Sequence, residues 1–174
     1  MLLISHPSLR DPNFLHSVIY LSTADAESGA FGVIINRPTG QKVGDILSSS
    51  DELEKVSHVP VFLGGPVATD QLIFVAFTWN PAAEQLECAH HLNPADLGDL
   101  LHDPLTELRA YIGYAGWGKG QLEREVAQGA WLLQTPLENT LAEGNSGTLW
   151  RDVVSSFGPK FQLMAEAPEN PSLN

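Results

Sequence analysis

A glycine-rich stretch near the middle of the chain constrains the fold more than any other part of the sequence. It runs from Tyr111 to Glu125 and reads YIGYAGWGKGQLERE. The apolar spacing around it predicts a strand over Leu105–Ile112 and a helix over Gln121–Leu133. Glycines between a strand and a helix N-terminus permit positive φ angles and close backbone approach, so this stretch predicts either a tight structural turn or a cradle for an anion.

The same stretch partly matches two nucleotide-binding patterns. Gly113 and Gly118–Lys119 fit the phosphate-loop spacing, but Gly120 stands where a Ser or Thr would hold magnesium. The dinucleotide pattern fails too, because Gln121 stands where its last glycine belongs. Turn geometry therefore explains these glycines better than nucleotide hydrolysis does.

Several motifs along the chain together form one recognisable pattern. They are Gly113–Glu125, Ala130-Trp131-Leu132, His6-Pro7, Asp11-Pro12-x-Phe14, Ser17-Val18, Gly32–Pro38 and Gly64–Val67. This pattern resembles the YqgE/AlgH family of uncharacterised bacterial proteins, and the resemblance extends from about Ile4 to Phe157. It implies a single α+β domain with a bent, partly barrel-like sheet, and the AlgH branch implies a link to transcriptional regulation.

The distribution of apolar residues supports the same fold class. Strands are predicted over Met1–Ile4, His16–Leu21, Ala30–Ile35, Val61–Leu63, Leu72–Phe77, Gln85–His90 and Phe161–Met164, and helices near Val43–Leu47, after Asn93-Pro94 and over Thr148–Phe157. Neighbouring strands occur in pairs more than in alternation with helices, which favours α+β with a mixed or antiparallel bent sheet flanked by helices. We expect one domain over residues 1–164 and a disordered tail over residues 165–174.

Composition excludes several classes of partner. The chain has 174 residues with 9 Lys+Arg against 21 Asp+Glu, a net charge of −12, which argues against direct binding to nucleic acid or to an anionic membrane surface. Cys88 is the single cysteine, so no intrachain disulfide can form. The sequence shows no membrane-length apolar run and no signal peptide, and we expect a cytoplasmic protein.

The first candidate ligand site is Asn36-Arg37, at the end of a predicted strand. A guanidinium presents a fork of donors that suits a carboxylate or a phosphate. The alternative is an internal salt bridge from Arg37 to Asp11 or Glu123. The complete set of candidate ligand-binding residues is Asn36, Arg37, Gly64, Gly65, Gly116, Trp117, Gly118, Lys119, Gln121 and Glu123.

Two further sets of residues are candidates for other roles. His6, Asp11 and Glu125 can act in acid–base chemistry only if the fold brings them together. Tyr114 and Trp117 are candidates for a partner surface, because aromatic side chains dominate many interfaces. The spacing of His and Cys predicts no metal site, and no pattern indicates a cofactor.

Two functions remain open from the sequence. The first is a non-enzymatic binding or regulatory module that acts through a protein partner, favoured because no complete catalytic motif is present. The alternative is an enzyme or sensor that binds a small anion or nucleotide at the Gly113–Gln121 loop, with Lys119 and Arg37 as its cations.

Overall fold

A computed structural model describes residues 1–25, 29–47, 51–90, 92–93, 97–142 and 144–167. Within these ranges the chain forms nine strands and six helices. The strands are β1 (Leu2–Ser5), β2 (Val18–Asp25), β3 (Gly29–Ile34), β4 (Pro38–Lys42), β5 (Pro60–Leu63), β6 (Val67–Asn80), β7 (Gln85–His90), β8 (Thr106–Trp117) and β9 (Trp131–Gln134). The helices are α1 (Val43–Ile46), α2 (Asp51–Glu54), α3 (Leu97–Leu100), α4 (Gln121–Ala127), α5 (Leu149–Ser156) and α6 (Pro159–Glu166).

One mixed sheet contains all nine strands, and β8 is its central strand. The strand order is β4-β5-β8-β3-β2-β1-β9, while β6 pairs with both β7 and β8. The β5–β8 pair is parallel, with Val61 opposite Ala110, and the other pairs are antiparallel. The predicted α+β class with a mixed sheet is therefore confirmed.

The sheet bends but does not close into a barrel, because its strand order ends at β4 and β9 while β7 pairs only with β6. Side chains connect β7 to β2 and β3, with which it forms no strand pairing. The Tyr20 hydroxyl on β2 donates to the Leu86 carbonyl on β7, and the rings of Phe31 on β3 and His90 on β7 lie 4.5 Å apart. The barrel-like character that the resemblance implies is thus limited to side-chain contacts between β7 and the β2–β3 pair, within a core that other elements share.

Helices cover the sheet at separate places. The apolar side of α5 packs on β1, where Trp150 Nε1 donates to the Ser5 carbonyl at 2.9 Å. Near α4, the buried side chains of Leu3, Ile19, Ile34 and other residues form a distinct apolar cluster. Since apolar burial is the main stabilising term of folding, these clusters hold the bent sheet in place.

Most of the strand predictions are confirmed, but three predicted elements differ from the structure. The residues after Ile112, predicted as a loop, form the second half of β8, which continues to Trp117. In this half, buried and half-buried residues alternate, as is typical of a strand. The predicted helix over Gln121–Leu133 ends at Ala127, and Gly129 then takes a φ of 75°. The chain leaves the helix there and enters β9.

The third error concerns the end of the chain. Phe161–Met164, predicted as a strand, lies in α6, whose first residue is Pro159. Proline suits the first helical position because its missing N–H has no intrahelical partner there. The helix includes residues 165 and 166 of the predicted tail, while residues 168–174 lie outside the described part of the chain. The predicted helix over Thr148–Phe157 is confirmed as α5.

Candidate functional site

The glycine-rich stretch is mostly a paired strand. Residues 115–117 pair with β3, and Tyr114 lies opposite Val67 of β6. Only residues 118–120 form a turn, and the Gly118 N–H donates to the side-chain Oε1 of Gln121 at 3.1 Å. This stretch therefore offers an anion much less open backbone than the sequence pattern suggests.

Glu125 connects Trp117 and Gln121 of this stretch to β9. Its Oε2 atom accepts hydrogen bonds from Trp117 Nε1 at 2.9 Å and from Trp131 Nε1 at 2.8 Å. Its Oε1 atom accepts from Gln121 Nε2 at 2.8 Å. Both indoles are buried, and the ring of Phe14 stacks on that of Trp117 at 6.3 Å. One carboxylate thus joins the last residue of β8 to the first residue of β9.

The environment of Glu125 favours its ionised form. Burial alone would raise the pKa of this carboxyl, but hydrogen bonds from Trp131, Gln121 and Trp117 and the nearby charge of Arg124 outweigh that effect. The net result is a pKa below the ordinary value. A carboxylate held in this way is a poor general acid at neutral pH, because it has no proton to give.

The Gly64-Gly65 pair meets the backbone of Gly113 and Tyr114 in space. A Cβ atom on Gly64 would lie 2.2 Å from the Gly113 carbonyl oxygen, and one on Gly65 would lie 2.3 Å from the carbonyl of Tyr114. The Gly64 N–H donates to the Ile112 carbonyl at 2.9 Å. These glycines therefore permit a close backbone crossing between the segment after β5 and strand β8.

Asn36 and Arg37 hold the loop that precedes β2. Asn36 Oδ1 accepts from the Val18 N–H at 2.8 Å, and its Nδ2 donates to the His16 carbonyl at 3.0 Å. Arg37 donates to the carbonyls of Asn13 at 2.7 Å and Leu15 at 2.8 Å. Within the described ranges, no ion pair joins Arg37 to a carboxylate.

Arg37 also lines a cleft, which we call the Arg37 cleft. It has a volume of about 250 Å³ and is lined by Pro12, Asn13, Ile34, Arg37, Leu63, Gly65, Pro66, Thr69 and Ile112. Of the sequence-predicted ligand residues, Arg37 and Gly65 meet here. Trp117, Gln121 and Gly118 belong instead to the hydrogen-bond network of Glu125.

The remaining candidates are not among the residues that line that cleft. His6 Nδ1 contacts the Ser8 hydroxyl at 2.7 Å, and Asp11 accepts from the Asn13 N–H at 2.8 Å. Glu123 lies in the first turn of α4 and is exposed, as is Lys119 in the turn before it. The structure therefore gives His6, Asp11 and Glu125 separate local partners.

The two candidates for a partner surface differ in exposure. Trp117 is 5% exposed and is packed against Phe14 and Trp131, so its indole is part of the core. Tyr114 is half-buried, and its ring lies 5.1 Å from that of Phe31. Tyr114 thus retains some accessible surface, whereas Trp117 retains almost none.

A groove that the sequence does not indicate lies between the β6–β7 turn and the segment after β9. We call it the Trp79 groove; its volume is about 740 Å³, and it is lined by Trp79, Pro81, Glu84, Thr135, Pro136, Leu137, Glu138 and Asn139. Leu137 is 59% exposed. The signal in the sequence is weak, because an exposed leucine after a strand looks like any other loop residue.

His16 has an unusual backbone conformation that the sequence does not predict. Its φ of 53° is left-handed, an uncommon conformation for a residue other than glycine. The His16 ring lies 3.9 Å from that of Trp150, in a cleft of about 310 Å³ that Asn36 and Arg151 also line. The hydrogen bond that Asn36 Nδ2 donates to the His16 carbonyl stabilises this backbone conformation.

The described residues show neither a cluster of metal-binding side chains nor a membrane-spanning helix. No group of three or more His, Cys, Asp or Glu residues among them is placed to hold a metal ion. None of the helices in the same ranges is long and apolar enough to cross a membrane.

The fold and these sites define an α+β protein whose open mixed sheet is flanked by helices and whose motif residues mainly join strands. The chain belongs to the AlgH-like family, whose model matches residues 2–162. This confirms the resemblance to the YqgE/AlgH proteins and places the chain in a family of uncharacterised proteins.

Relatives match nearly the whole chain. A UPF0301 protein of Streptomyces avermitilis is 36% identical over 184 residues, which cover 99% of this chain and 93% of the relative. A UPF0301 protein of Thioalkalivibrio sulfidiphilus is 39% identical over 170 residues, covering 94% and 91%. These relatives are bacterial and share the full length of the domain.

Two solved structures have the same fold. A protein of Corynebacterium diphtheriae superposes with a TM-score of 0.72 and 21% identity, covering 95% of this chain and 90% of that one. The AlgH protein of Pseudomonas aeruginosa superposes with a TM-score of 0.65 and 23% identity, covering 97% and 93%. At these identities the likeness concerns the fold alone.

Proposed function

We propose that the chain is a non-enzymatic regulatory module of the bacterial cytoplasm, and that it binds a basic, apolar segment of a protein partner in the Trp79 groove. The observation that carries this proposal is the exposed side chain of Leu137, which lies beside Trp79 in a groove with two glutamates. A single cysteine suits a reducing compartment, where no disulfide is needed.

Both sides of the groove are held in shape before any partner arrives. On one side, Asn80 Oδ1 accepts from the N–H groups of Ala82 and Ala83, each at 3.1 Å, and fixes the β6–β7 turn. On the other side, Thr140 Oγ1 accepts from the Leu137 N–H at 2.7 Å. A preformed surface loses less entropy on binding, so more of the contact energy remains as affinity.

The chemistry of the groove selects the kind of partner. Trp79, Leu137 and two prolines supply apolar contact, and tryptophan is enriched among the residues that dominate interface energies. Glu84 and Glu138 add negative charge, in a chain whose net charge is −12. Charge complementarity steers association and rejects acidic competitors, so the segment that binds is basic.

The local contacts of the acid–base candidates support the proposal of a non-enzymatic role. Glu125 is ionised and bonded to two indoles and an amide. His6 and Asp11 are engaged by residues two positions along the chain. Each of these groups thus has a local structural partner in place of an open reaction site.

The test measures binding of fluorescent peptides that combine Lys or Arg with Leu or Phe. We expect saturable anisotropy changes that weaken with added salt, because exposed charges are screened. Leu137→Lys should reduce the affinity about tenfold or more, since it removes an apolar anchor and repels a basic peptide.

Leu163→Lys is the matched control, because Leu163 on α6 is 70% exposed and lies outside the groove. This variant should bind the peptides as the unchanged protein does. The proposal fails if no basic peptide binds more tightly than its acidic counterpart, or if the two lysine variants lose affinity equally.

A further inference from the structure

The Arg37 cleft is built where several backbone segments are packed too tightly to move easily. Gly65 forms part of its lining, and a Cβ atom at this position would meet the Tyr114 backbone at 2.3 Å. The Gly64 carbonyl accepts from the Ile34 N–H at 2.9 Å, which attaches the same segment to β3. The shape of the cleft is therefore set by the sheet.

The positive charge of Arg37 lies in this cleft, and no ion pair joins it to a carboxylate among the described residues. The two acceptors of Arg37 are the neutral carbonyls of Asn13 and Leu15, and none of the described residues that line the cleft is acidic. Burial lowers the pKa of Arg37, although a guanidinium remains charged at neutral pH. A half-buried cation whose hydrogen bonds go to neutral carbonyls favours an anion beside it.

The rest of the cleft is mostly apolar. Ile34, Leu63, Ile112 and two prolines form most of its walls, and Asn13 and the exposed Thr69 supply its uncharged polar side chains. A nucleotide or a sugar phosphate carries several charges and many hydroxyls, which need more donors than one guanidinium supplies. One cation and apolar walls instead suit a ligand with one negative charge and an apolar body.

We propose that the Arg37 cleft binds a small free monocarboxylate with a short aliphatic or aromatic body. Its carboxylate lies against the guanidinium of Arg37, and its apolar end contacts Leu63 and Ile112. A volume of about 250 Å³ lies just below the range of about 300–1,000 Å³ for sites of drug-sized molecules, and it suits a smaller ligand of this kind. The site is separate from the Trp79 groove and does not depend on the proposed partner.

The experiment is a titration followed by amide nuclear magnetic resonance, with benzoate and butyrate as probes and benzamide and butyramide as their neutral counterparts. We expect the carboxylates to shift the amide signals of Leu63 and Thr69 in a saturable manner. The neutral amides should bind at least about tenfold more weakly, because a charge-assisted hydrogen bond is lost.

Two variants test the role of the charge. Arg37→Gln should weaken benzoate binding about tenfold or more, although it also loosens the loop that Arg37 holds. Leu63→Glu leaves the guanidinium and its carbonyl bonds in place but introduces a competing carboxylate at the edge of the cleft. We expect it to abolish benzoate binding with the fold intact.

Leu105→Glu is the matched control, because Leu105 is 48% exposed, close to the 47% of Leu63, and does not line the cleft. This variant should bind benzoate normally. Equal binding of benzoate and benzamide, unchanged binding in Leu63→Glu, or shifts confined to residues away from the cleft would each overturn the proposal.

Discussion

The Trp117 indole N–H donates to Oε2 of Glu125 at 2.9 Å, and the same oxygen accepts from Trp131 at 2.8 Å. The three residues lie on β8, α4 and β9, and β9 forms one end of the sheet. A short helix is only marginally stable alone, so α4 depends on such tertiary contacts. The most distinctive motif of the chain thus has a structural role, because its side chains connect β8, α4 and β9.

Replacing Glu125 should destabilise the protein strongly. Glu125→Ala removes the acceptor of two buried indole N–H groups, and we expect a loss of about 2–4 kcal/mol in the free energy of unfolding. Glu125→Gln keeps an amide oxygen as acceptor and should cost less. Urea denaturation followed by tryptophan fluorescence measures both values.

Glu123→Ala is the control for this measurement, because Glu123 is exposed on the same helix. It should change the free energy of unfolding by no more than about 0.5 kcal/mol. Equal effects of the substitutions at residues 123 and 125 would show that the indole bonds contribute little.

The contribution of Glu125 should depend on pH. Its folded-state pKa is depressed, because the hydrogen bonds and the charge of Arg124 outweigh burial. A group of this kind adds stability above its unfolded pKa, about 4.3 for a glutamate, and loses it as pH falls through the lower folded value. The stability difference between the unchanged protein and Glu125→Gln should therefore be full at pH 6 to 7, and should shrink as the pH falls below about 4. A difference that stays constant down to pH 3 would contradict the argument.

The strands could be predicted because apolar alternation is a local property of the sequence. The continuation of β8 through Gly113 to Trp117 was missed because glycines indicate a loop when their neighbours in space are unknown. The reason for Gly113 lies on another segment, since the Gly65 and Val67 carbonyls occupy the space of a side chain. The local pattern of apolar and polar residues does not show where two backbone segments cross so closely.

The candidate sites were less predictable than the fold. Arg37 was correctly placed at a strand end, but its partners are loop carbonyls, whose positions depend on how residues 13–15 fold. The Trp79 groove was missed because Trp79 and Leu137 are far apart in the sequence and meet only after the sheet bends. Sequence patterns identify residue types, whereas a site also requires long-range placement.

Replacing either of two glycines that have similar φ angles by alanine should lower the free energy of unfolding by different amounts. Gly113 and Gly129 have φ values of 68° and 75°, but a Cβ atom on Gly113 would lie 2.6 Å from the Gly65 carbonyl oxygen, whereas one on Gly129 meets nothing within 4 Å. Gly129→Ala should cost about 1–2 kcal/mol from backbone strain alone. Gly113→Ala should cost about 1–3 kcal/mol more, or prevent folding, because it adds a steric clash. Chemical denaturation of both variants measures the difference, and equal costs would contradict the close crossing.

Arg109 should be the basic residue on which the fold depends most. It is 4% exposed, its Nε donates to Glu107 at 2.6 Å, and its two terminal nitrogens donate to the carbonyls of Ile35 at 3.1 Å and Leu141 at 2.7 Å. Its guanidinium also lies 4.4 Å from the ring centre of Phe62.

Arg109→Met fills a similar volume but leaves both carbonyls without their donor, so we expect the free energy of unfolding to fall by about 3–5 kcal/mol. The matched control is Arg151→Met, because Arg151 is exposed on α5 and its loss should cost no more than about 0.5 kcal/mol. Thermal and urea denaturation of the two variants give the comparison. A cost for Arg109→Met as small as that of the control would mean that the buried guanidinium is not what joins β3, β8 and the segment around Leu141.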